Sequence, residues 1–267
     1  MLLAIDCGNT NTVFAVFDGT SQLGAWRTST NAGRTADEYA VWLTGLMALN
    51  DLDRSSIDAV ILATVVPATS FNLKSLCNKY FDIDPMVVGD PALSLGIEVR
   101  IDNPREVGAD RLVNAVAAHE RHAGTAMIMI DFGTATTFDV LGSDGAYEGG
   151  VIAPGINLSL DALYQAAAQL PRIAIQPPER PAGVNEPMPV IGKNTVTAMQ
   201  SGIFWGYVGL IEGLVSRIKA QYGAPMFVVA TGGLAPLFAK STDVIQEVDP
   251  DVTLRGLVLI HERNKDV

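Results

Sequence analysis

The feature that most limits how this chain can fold is an eight-residue pattern that occurs twice. Ile5-Asp6-Cys7-Gly8-Asn9-Thr10-Asn11-Thr12 returns, 125 residues later, as Ile130-Asp131-Phe132-Gly133-Thr134-Ala135-Thr136-Thr137. Each copy follows a short apolar run and precedes another apolar run that ends at an Asp-Gly pair. Strand, glycine turn and strand are typical of a β-hairpin. A supersecondary unit repeated at half the chain length predicts two similar domains.

The residue types of this turn indicate a phosphate-binding function. Glycine permits close backbone approach, and successive turn N–H groups can point at one anion. Asp6 would repel a phosphate unless a divalent cation lies between them, so the pattern predicts bound Mg²⁺. A single copy would be interpreted as an ordinary turn, because Asp and Gly are common in turns. Two copies in matching context favour the phosphate site.

Composition argues against several other functions. The 267 residues are 48% hydrophobic, which suffices for one large core or two modest ones. The net charge of −11 argues against a nucleic-acid partner. The two cysteines, Cys7 and Cys77, form neither a disulfide framework nor a zinc motif, so we expect a cytoplasmic protein. The uncharged run over residues 194–211 contains several polar residues, so we interpret it as a buried helix and expect no membrane association.

Hydrophobic periodicity predicts the order of elements in each half. Residues 2–6, 12–18 and 22–29 read as three strands, followed by a helix over 36–49, a strand over 58–66 and a helix over 70–81. The second half repeats three strands and a helix, and then has a long helix over 195–222 that glycines between 206 and 213 could interrupt. These elements predict an α/β fold with an N-terminal domain over 1–118 and a C-terminal domain over 119–267.

The duplicated hairpins and a late Thr231-Gly232-Gly233 turn resemble the actin-like ATPase and sugar-kinase superfamily. The block from Asp102-Asn103-Pro104 to Gly108-Ala109-Asp110-Arg111 is more specific, and with it the chain resembles the type III pantothenate kinases over nearly its whole length. The resemblance implies two duplicated ribonuclease H-like (actin-like ATPase) domains, each a mixed β-sheet flanked by helices.

The resemblance also implies an activity: ATP-dependent phosphorylation of pantothenate to 4'-phosphopantothenate, the first step of coenzyme A biosynthesis. Similar enzymes are homodimers that need Mg²⁺ and a monovalent cation, K⁺ or NH₄⁺. Two alternatives stay open. One is a kinase of the same fold that acts on another small hydroxy acid, and the other is a non-catalytic regulatory accessory protein.

The resemblance assigns ATP binding to both turns. The residues concerned are Asp6, Cys7, Gly8, Asn9, Thr10, Asn11, Thr12, Val13, Thr134, Gly232 and Gly233. Asp6 is expected to hold Mg²⁺ through the phosphates, and Asp131 to hold the monovalent cation. For both aspartates the alternative is a structural role in the turn.

The resemblance assigns the acid substrate to the specific block and two further positions. The residues concerned are Gly108, Ala109, Asp110, Arg111, Thr195 and Ile101. Asp110 matches the proton acceptor, although an Asp at a helix start is often only an N-cap. Arg111 is suited to a carboxylate, which a guanidinium binds with two parallel bonds, but a surface ion pair is its alternative. Ile101 departs from the family, which commonly has Tyr there, and Thr195 could be a plain helix cap.

Overall fold

The computed structural model of this chain describes residues 1–167, 170–178 and 189–265, and it contains two compact units. The first comprises Met1–Thr125, Leu141–Gly149 and Asp251–Val267. The second comprises Ala126–Val140 and Gly150–Pro250. The domain boundary between residues 118 and 119, which follows from the repeat, stays a prediction.

The first unit contains a mixed five-stranded sheet in the order β3-β2-β1-β4-β5. Its strands are β1 (Leu2–Cys7), β2 (Asn11–Asp18), β3 (Ser21–Ser29), β4 (Ala59–Thr64) and β5 (Met86–Val87). Its helices are α1 (Ala36–Ala48), α2 (Pro67–Leu76), α3 (Ala109–Arg121) and, from the end of the chain, α7 (Val252–Asn264). Strand β1 pairs antiparallel with β2 and parallel with β4, so the predicted hairpin is present.

Helix α1 begins where the sequence predicts it. The Thr35 side chain accepts a hydrogen bond from the backbone N–H of Glu38, and the Glu38 carboxylate accepts one from the backbone N–H of Thr35. This capping box satisfies two N–H groups that the helix itself leaves without partners.

Side chains of β1 alternate between two hydrophobic clusters, one on each face of the first sheet. Leu3, Ile5 and Cys7 pack into the cluster that contains residues of α1 and α2. Leu2 and Ala4 pack into the cluster that contains residues of α3 and α7. Successive side chains of a strand point to opposite faces. Odd-numbered residues of β1 therefore face α1 and α2, and even-numbered residues face α3 and α7.

The second unit repeats the strand order of the first. Its sheet runs β10-β9-β6-β7-β8, so β6 occupies the central place that β1 has in the other sheet. The strands are β6 (Met127–Phe132), β7 (Ala135–Leu141), β8 (Tyr147–Pro154), β9 (Phe227–Thr231) and β10 (Glu247–Val248). The last residue of β7 and the first three residues of β8 belong to the first unit. The helices are α4 (Ile156–Ala166), α5 (Thr195–Tyr222) and α6 (Ala235–Ala239). This shared order confirms the duplication that the sequence repeat predicts.

Helix α5 has the predicted bounds but no interruption, so the expected break between residues 206 and 213 is wrong. Its buried residues, among them Phe204, Tyr207 and Ile211, pack into the core of the second unit and outweigh the low helix propensity of glycine. None of the helices in the described part of the chain is long and apolar enough to cross a membrane.

Candidate active site

The first turn, Gly8 to Thr10, joins the carboxyl end of β1 to β2. The Gly8 N–H donates to the carbonyl of Asn11 at 3.0 Å, which closes the turn. The Thr30 hydroxyl donates to the carbonyl of Gly8 at 2.7 Å, and the Thr30 N–H donates to the carbonyl of Thr10 at 2.9 Å. Asn9, Thr10 and Asn11 are exposed, as a turn that binds a soluble ligand requires.

Two of the predicted ATP-binding residues support this turn from the buried interior of the first unit. Cys7 and Thr12 are fully buried, and the Thr12 hydroxyl donates to the Cys7 sulfur at 3.3 Å. The Cys7 sulfur also lies 3.3 Å from the hydroxyl of Thr69 in α2. The side chains of Cys7 and Thr12 therefore tie the two strands that flank the turn to α2, and neither residue is exposed to a ligand. Val13 is half-buried.

Asp6 lies on the α3 face of the first sheet, at its carboxyl edge. Like Leu2 and Ala4, it is an even-numbered residue of β1 and so points to the same face. Its partner on β4, Ala63, packs in the same cluster as those two residues. Ala109, the first residue of α3, belongs to this cluster as well. The fold therefore brings the Asp6 turn and the first turn of α3 to one face and one edge of the same sheet.

Asp110 is not the N-cap of α3, because that position belongs to Gly108, which has no side chain to cap with. One carboxylate oxygen of Asp110, Oδ1, accepts a hydrogen bond from the backbone N–H of Arg111 at 2.8 Å. Burial raises the pKa of Asp110, and the hydrogen bond and the charge of Arg111 offset only part of that rise. A carboxylate with a raised pKa is a better proton acceptor than an ordinary aspartate.

Gly108 leaves the space that the Asp110 carboxylate occupies. A Cβ atom on Gly108 would lie 2.6 Å from Oδ1 of Asp110 and 3.4 Å from a methyl group of Val65. Val65 follows the carboxyl end of β4, so this contact places the start of α3 at the same edge as the phosphate turn.

The Arg111 side chain is half-buried and lies against an aromatic ring. Its guanidinium carbon is 5.8 Å from the centroid of the Tyr147 ring. Ile101 is also half-buried and supplies no hydroxyl, and its methyl group packs near Gly149. Tyr147 was not among the predicted site residues, because an aromatic residue at the start of a strand is typical of a core position.

The second turn, in the other unit, has similar chemistry. The Gly133 N–H donates to the carbonyl of Ala135 at 3.0 Å, and Gly133 and Thr134 are exposed. The Gly155 N–H donates to the carbonyl of Thr134 at 3.1 Å. A Cβ atom on Gly155 would lie 2.2 Å from that carbonyl oxygen, so only glycine permits this approach.

A buried hydroxyl network supports the second turn. The Tyr207 hydroxyl donates to the carbonyl of Pro154 at 2.6 Å, so Thr136, 2.7 Å away, donates to Tyr207. Burial raises the pKa of Tyr207, which keeps the phenol protonated as this arrangement requires. Because Pro154 precedes Gly155, the network holds the residue that contacts Thr134. No local pattern indicates a role for Tyr207, because it lies within a largely apolar helix.

The remaining predicted residues of the second unit are also near strand or helix ends. Gly232 follows β9 with φ +92°, and a Cβ there would lie 2.6 Å from the carbonyl of Phe132. Gly233 is exposed. Thr195 is exposed and is the first residue of α5, but the cap is Asn194, whose side chain accepts from the Thr197 N–H at 2.9 Å. The cap role that was the alternative for Thr195 therefore belongs to its neighbour.

Two solved structures of low sequence identity share the fold of this chain. It resembles a solved structure from Sinorhizobium meliloti, described as a 2-dehydro-3-deoxygalactonokinase, with a TM-score of 0.58 and 14% identity over 100% of this chain and 98% of the other. It also resembles a Campylobacter jejuni structure described as a conserved Baf family transcriptional activator, with a TM-score of 0.60 and 18% identity over 99% and 100%. With two mixed sheets of matching strand order, the chain shares its fold with these two structures.

The chain belongs to the type III pantothenate kinase family. The family model with that description matches residues 2–217. The type III pantothenate kinase of Rhodospirillum rubrum is 62% identical over 265 residues, which cover 99% of each chain. These findings confirm the predicted family and fold class.

Proposed function

We propose that this protein transfers the terminal phosphate of ATP to pantothenate, which yields 4'-phosphopantothenate for coenzyme A biosynthesis. Family membership supports the substrates. The observation that carries the proposed chemistry is that Asp6 and Asp110 lie at the same face and the same edge of the first sheet. Asp6 is on the α3 face of β1, and Asp110 is in the first turn of α3, next to the end of β4.

The Asp6 turn has the features of a Mg²⁺–phosphate site. Asp6 is a half-buried carboxylate that lies three residues before the exposed turn residues Asn9, Thr10 and Asn11. Mg²⁺ is usually held by one or two carboxylates together with substrate phosphates, rather than by a cage of protein ligands. Among the described residues, no three or more His, Cys, Asp or Glu side chains are grouped so that they could hold a metal ion. When bound, Mg²⁺ would neutralise charge on the phosphates during transfer.

Asp110 is proposed to accept the proton of the substrate hydroxyl. As the hydroxyl oxygen forms its bond to the terminal phosphorus, the bond from that phosphorus to the bridging oxygen of ATP breaks and ADP leaves. The hydroxyl proton passes to the Asp110 carboxylate, whose raised pKa favours this transfer. Arg111 is assigned the substrate's own carboxylate, with Gly108, Ala109, Ile101 and Thr195 as further substrate contacts.

For the second unit we propose that Thr134 contacts ATP phosphates, that Gly232 and Gly233 contact the nucleoside, and that Asp131 serves K⁺ or NH₄⁺. The exposed second turn supports the first assignment. We also propose a cytoplasmic homodimer. Exposed apolar side chains in the second unit support a protein interface there: Ile152, Leu158, Val190, Ile191 and Val196.

A coupled ADP-release assay tests the proposed function. Purified protein with ATP, Mg²⁺ and K⁺ should release ADP only when pantothenate is present, and replacing K⁺ with Na⁺ should lower the rate. Other small hydroxy acids serve as comparison substrates. Turnover with one of these but not with pantothenate would move the activity to another acid, and no turnover with any of them would favour an accessory role.

A further inference from the structure

The side chains of Arg111 and Tyr147 form a cation–π contact that no predicted role requires. The guanidinium carbon lies 5.8 Å from the ring centroid, within the range of about 6 Å in which such pairs attract. We propose that Tyr147 is a positioning residue for the acid substrate, because its ring holds the Arg111 guanidinium in the orientation that receives a carboxylate. This inference rests on the proposed function, which assigns that ligand to Arg111.

Both backbone polar groups of Tyr147 are hydrogen-bonded to the segment over residues 98–100. The Tyr147 N–H donates to the carbonyl of Glu98 at 2.8 Å, and the Arg100 N–H donates to the carbonyl of Tyr147 at 2.8 Å. Val99, between those two residues, forms a parallel bridge with Tyr147. Tyr147 as a whole residue is only 1% exposed. The aromatic face that meets Arg111 is therefore fixed before any substrate binds.

A charge network ties the same segment to the turn before Tyr147. The Arg100 guanidinium contacts carboxylates of Glu98 at 2.7 Å, Asp144 at 2.6 Å and Glu148 at 2.9 Å. Exposed ion pairs are individually weak, but here one guanidinium joins three carboxylates. Glu148 follows Tyr147 and points to the opposite side of the strand, so the network restrains Tyr147 without occupying its ring.

Helix α3 meets this turn at a second point. Ring atoms of His119 would lie 2.5 Å from a Cβ on Gly145, so the two residues are in close contact. Arg111 and His119 are two helical turns apart and therefore share a face of α3. The contact between Arg111 and Tyr147 is thus one end of a packed interface between α3 and the β7–β8 turn.

The chemistry of the pair explains why an aromatic residue suits this place. A guanidinium can stack on an aromatic face and still direct its N–H groups to a carboxylate. A free arginine would lose side-chain freedom when it binds a substrate, whereas a stacked arginine is already ordered. The ring should therefore lower the KM for the acid substrate and should leave the phosphoryl-transfer step unaffected.

The test compares two substitutions of the same side chain. Tyr147→Leu removes the π face, and the KM for pantothenate should rise roughly fivefold to thirtyfold. Tyr147→Phe keeps the π face, and its KM should stay within about twofold of wild type. In both variants, kcat and the KM for ATP should stay unchanged. An unchanged pantothenate KM in Tyr147→Leu, or an equal rise in Tyr147→Phe, would overturn the proposal.

A double-mutant cycle separates positioning from a general structural role. Arg111→Ala should raise the pantothenate KM, and adding Tyr147→Leu should then raise it no further. Multiplying effects would mean that Tyr147 does not act through Arg111, which would overturn the inference. If Arg111→Ala alone leaves this KM unchanged, then the assigned role of Arg111 is wrong and the inference is lost with it. A rise in Arg111→Ala without one in Tyr147→Leu would refute only the inference.

Two further variants serve as a control and as a replacement for Tyr147→Leu. Tyr80→Leu is the matched control, because the Tyr80 ring also lies beside a cation, Lys79, at 5.1 Å. That control should leave the pantothenate KM unchanged, and an equal rise there would remove the claim that Tyr147 is special. If thermal denaturation shows that Tyr147→Leu does not fold, Tyr147→Met replaces it with the same expected KM.

Discussion

The backbone N–H of Arg111 donates a hydrogen bond of 2.8 Å to Oδ1 of Asp110. The helix start therefore orients the carboxylate, because the donor belongs to the backbone of α3 and cannot rotate away. The same two residues are assigned to the reacting hydroxyl and to the substrate carboxylate. One turn of helix would thus set the distance between the two ends of the substrate that the enzyme must hold.

Replacing Asp110 with Asn should lower kcat roughly 10²–10⁴-fold, because the amide cannot accept the hydroxyl proton. Steady-state kinetics with pantothenate and ATP measure this effect. Asp102→Asn is the control, since Asp102 is an exposed carboxylate in the same block. Near-wild-type turnover of Asp110→Asn would remove the proton-acceptor role.

The raised pKa of Asp110 predicts a pH dependence of stability. The folded protein holds the Asp110 proton more tightly than the unfolded chain, so the group favours folding below its unfolded pKa, about 3.9. This contribution is lost as the pH rises through the folded pKa, and ionised Asp110 is destabilising at neutral pH. Asp110→Asn should therefore have a higher Tm than wild type at neutral pH.

Thermal denaturation of both proteins at several pH values checks this sign. The Tm difference should shrink as the pH falls towards the unfolded pKa. An Asn variant less stable than wild type at neutral pH would contradict the account. The acid limb of kcat/KM should likewise lie above the ordinary aspartate range.

Gly108→Ala should reduce activity far more than stability. The new Cβ would lie 2.6 Å from Oδ1 of Asp110, a side-chain atom that can move, so the fold survives while the carboxylate shifts. Displacement on the order of 1 Å can cost up to about a hundredfold in rate, so we expect a fall of roughly tenfold to a hundredfold in kcat.

The control for this change is Gly45→Ala, in α1, where a Cβ would meet no atom within 4 Å. It should leave kcat unchanged and stabilise the helix by about 1 kcal/mol. A large loss of Tm in Gly108→Ala, with kcat unaffected, would show that the glycine serves folding rather than the carboxylate.

Tyr207→Phe should weaken the second turn. The change leaves the Pro154 carbonyl and the Thr136 hydroxyl without their phenol partner, which should cost about 1–3 kcal/mol. Because Pro154 precedes Gly155, we also expect a higher KM for ATP. Tyr222→Phe, on the same helix, is the control and should change neither quantity. An unchanged Tm and KM in Tyr207→Phe would contradict the proposed support of Thr134.

The sequence predicts the repeated sheet because the repeat lies in the strands and turns that form its centre. It misses β10, since the pair Glu247 and Val248 is too short for any periodicity to indicate a strand. It also misjudges the glycines of α5. Their cost depends on how well the rest of the helix is packed, and packing against β-strands distant in sequence is not visible in a local pattern.

The candidate site also contains residues that the sequence predicts and residues that only the structure identifies. Asp6 and Asp110 lie in short motifs whose residue types suit phosphate binding and proton transfer, so both were predicted from sequence. Tyr147 and Tyr207 act through partners 36 and 71 residues away, Arg111 and Thr136. An aromatic residue in an apolar run is typical of a core position, and only the three-dimensional contacts distinguish these two.

The most direct test of the central claim identifies the product. Wild-type protein incubated with ATP, Mg²⁺, K⁺ and pantothenate should form 4'-phosphopantothenate in equal amount to ADP, as measured by mass spectrometry, and Asp110→Asn should form almost none. ADP release without phosphorylated pantothenate, or equal product from the Asp110→Asn protein, would contradict the account.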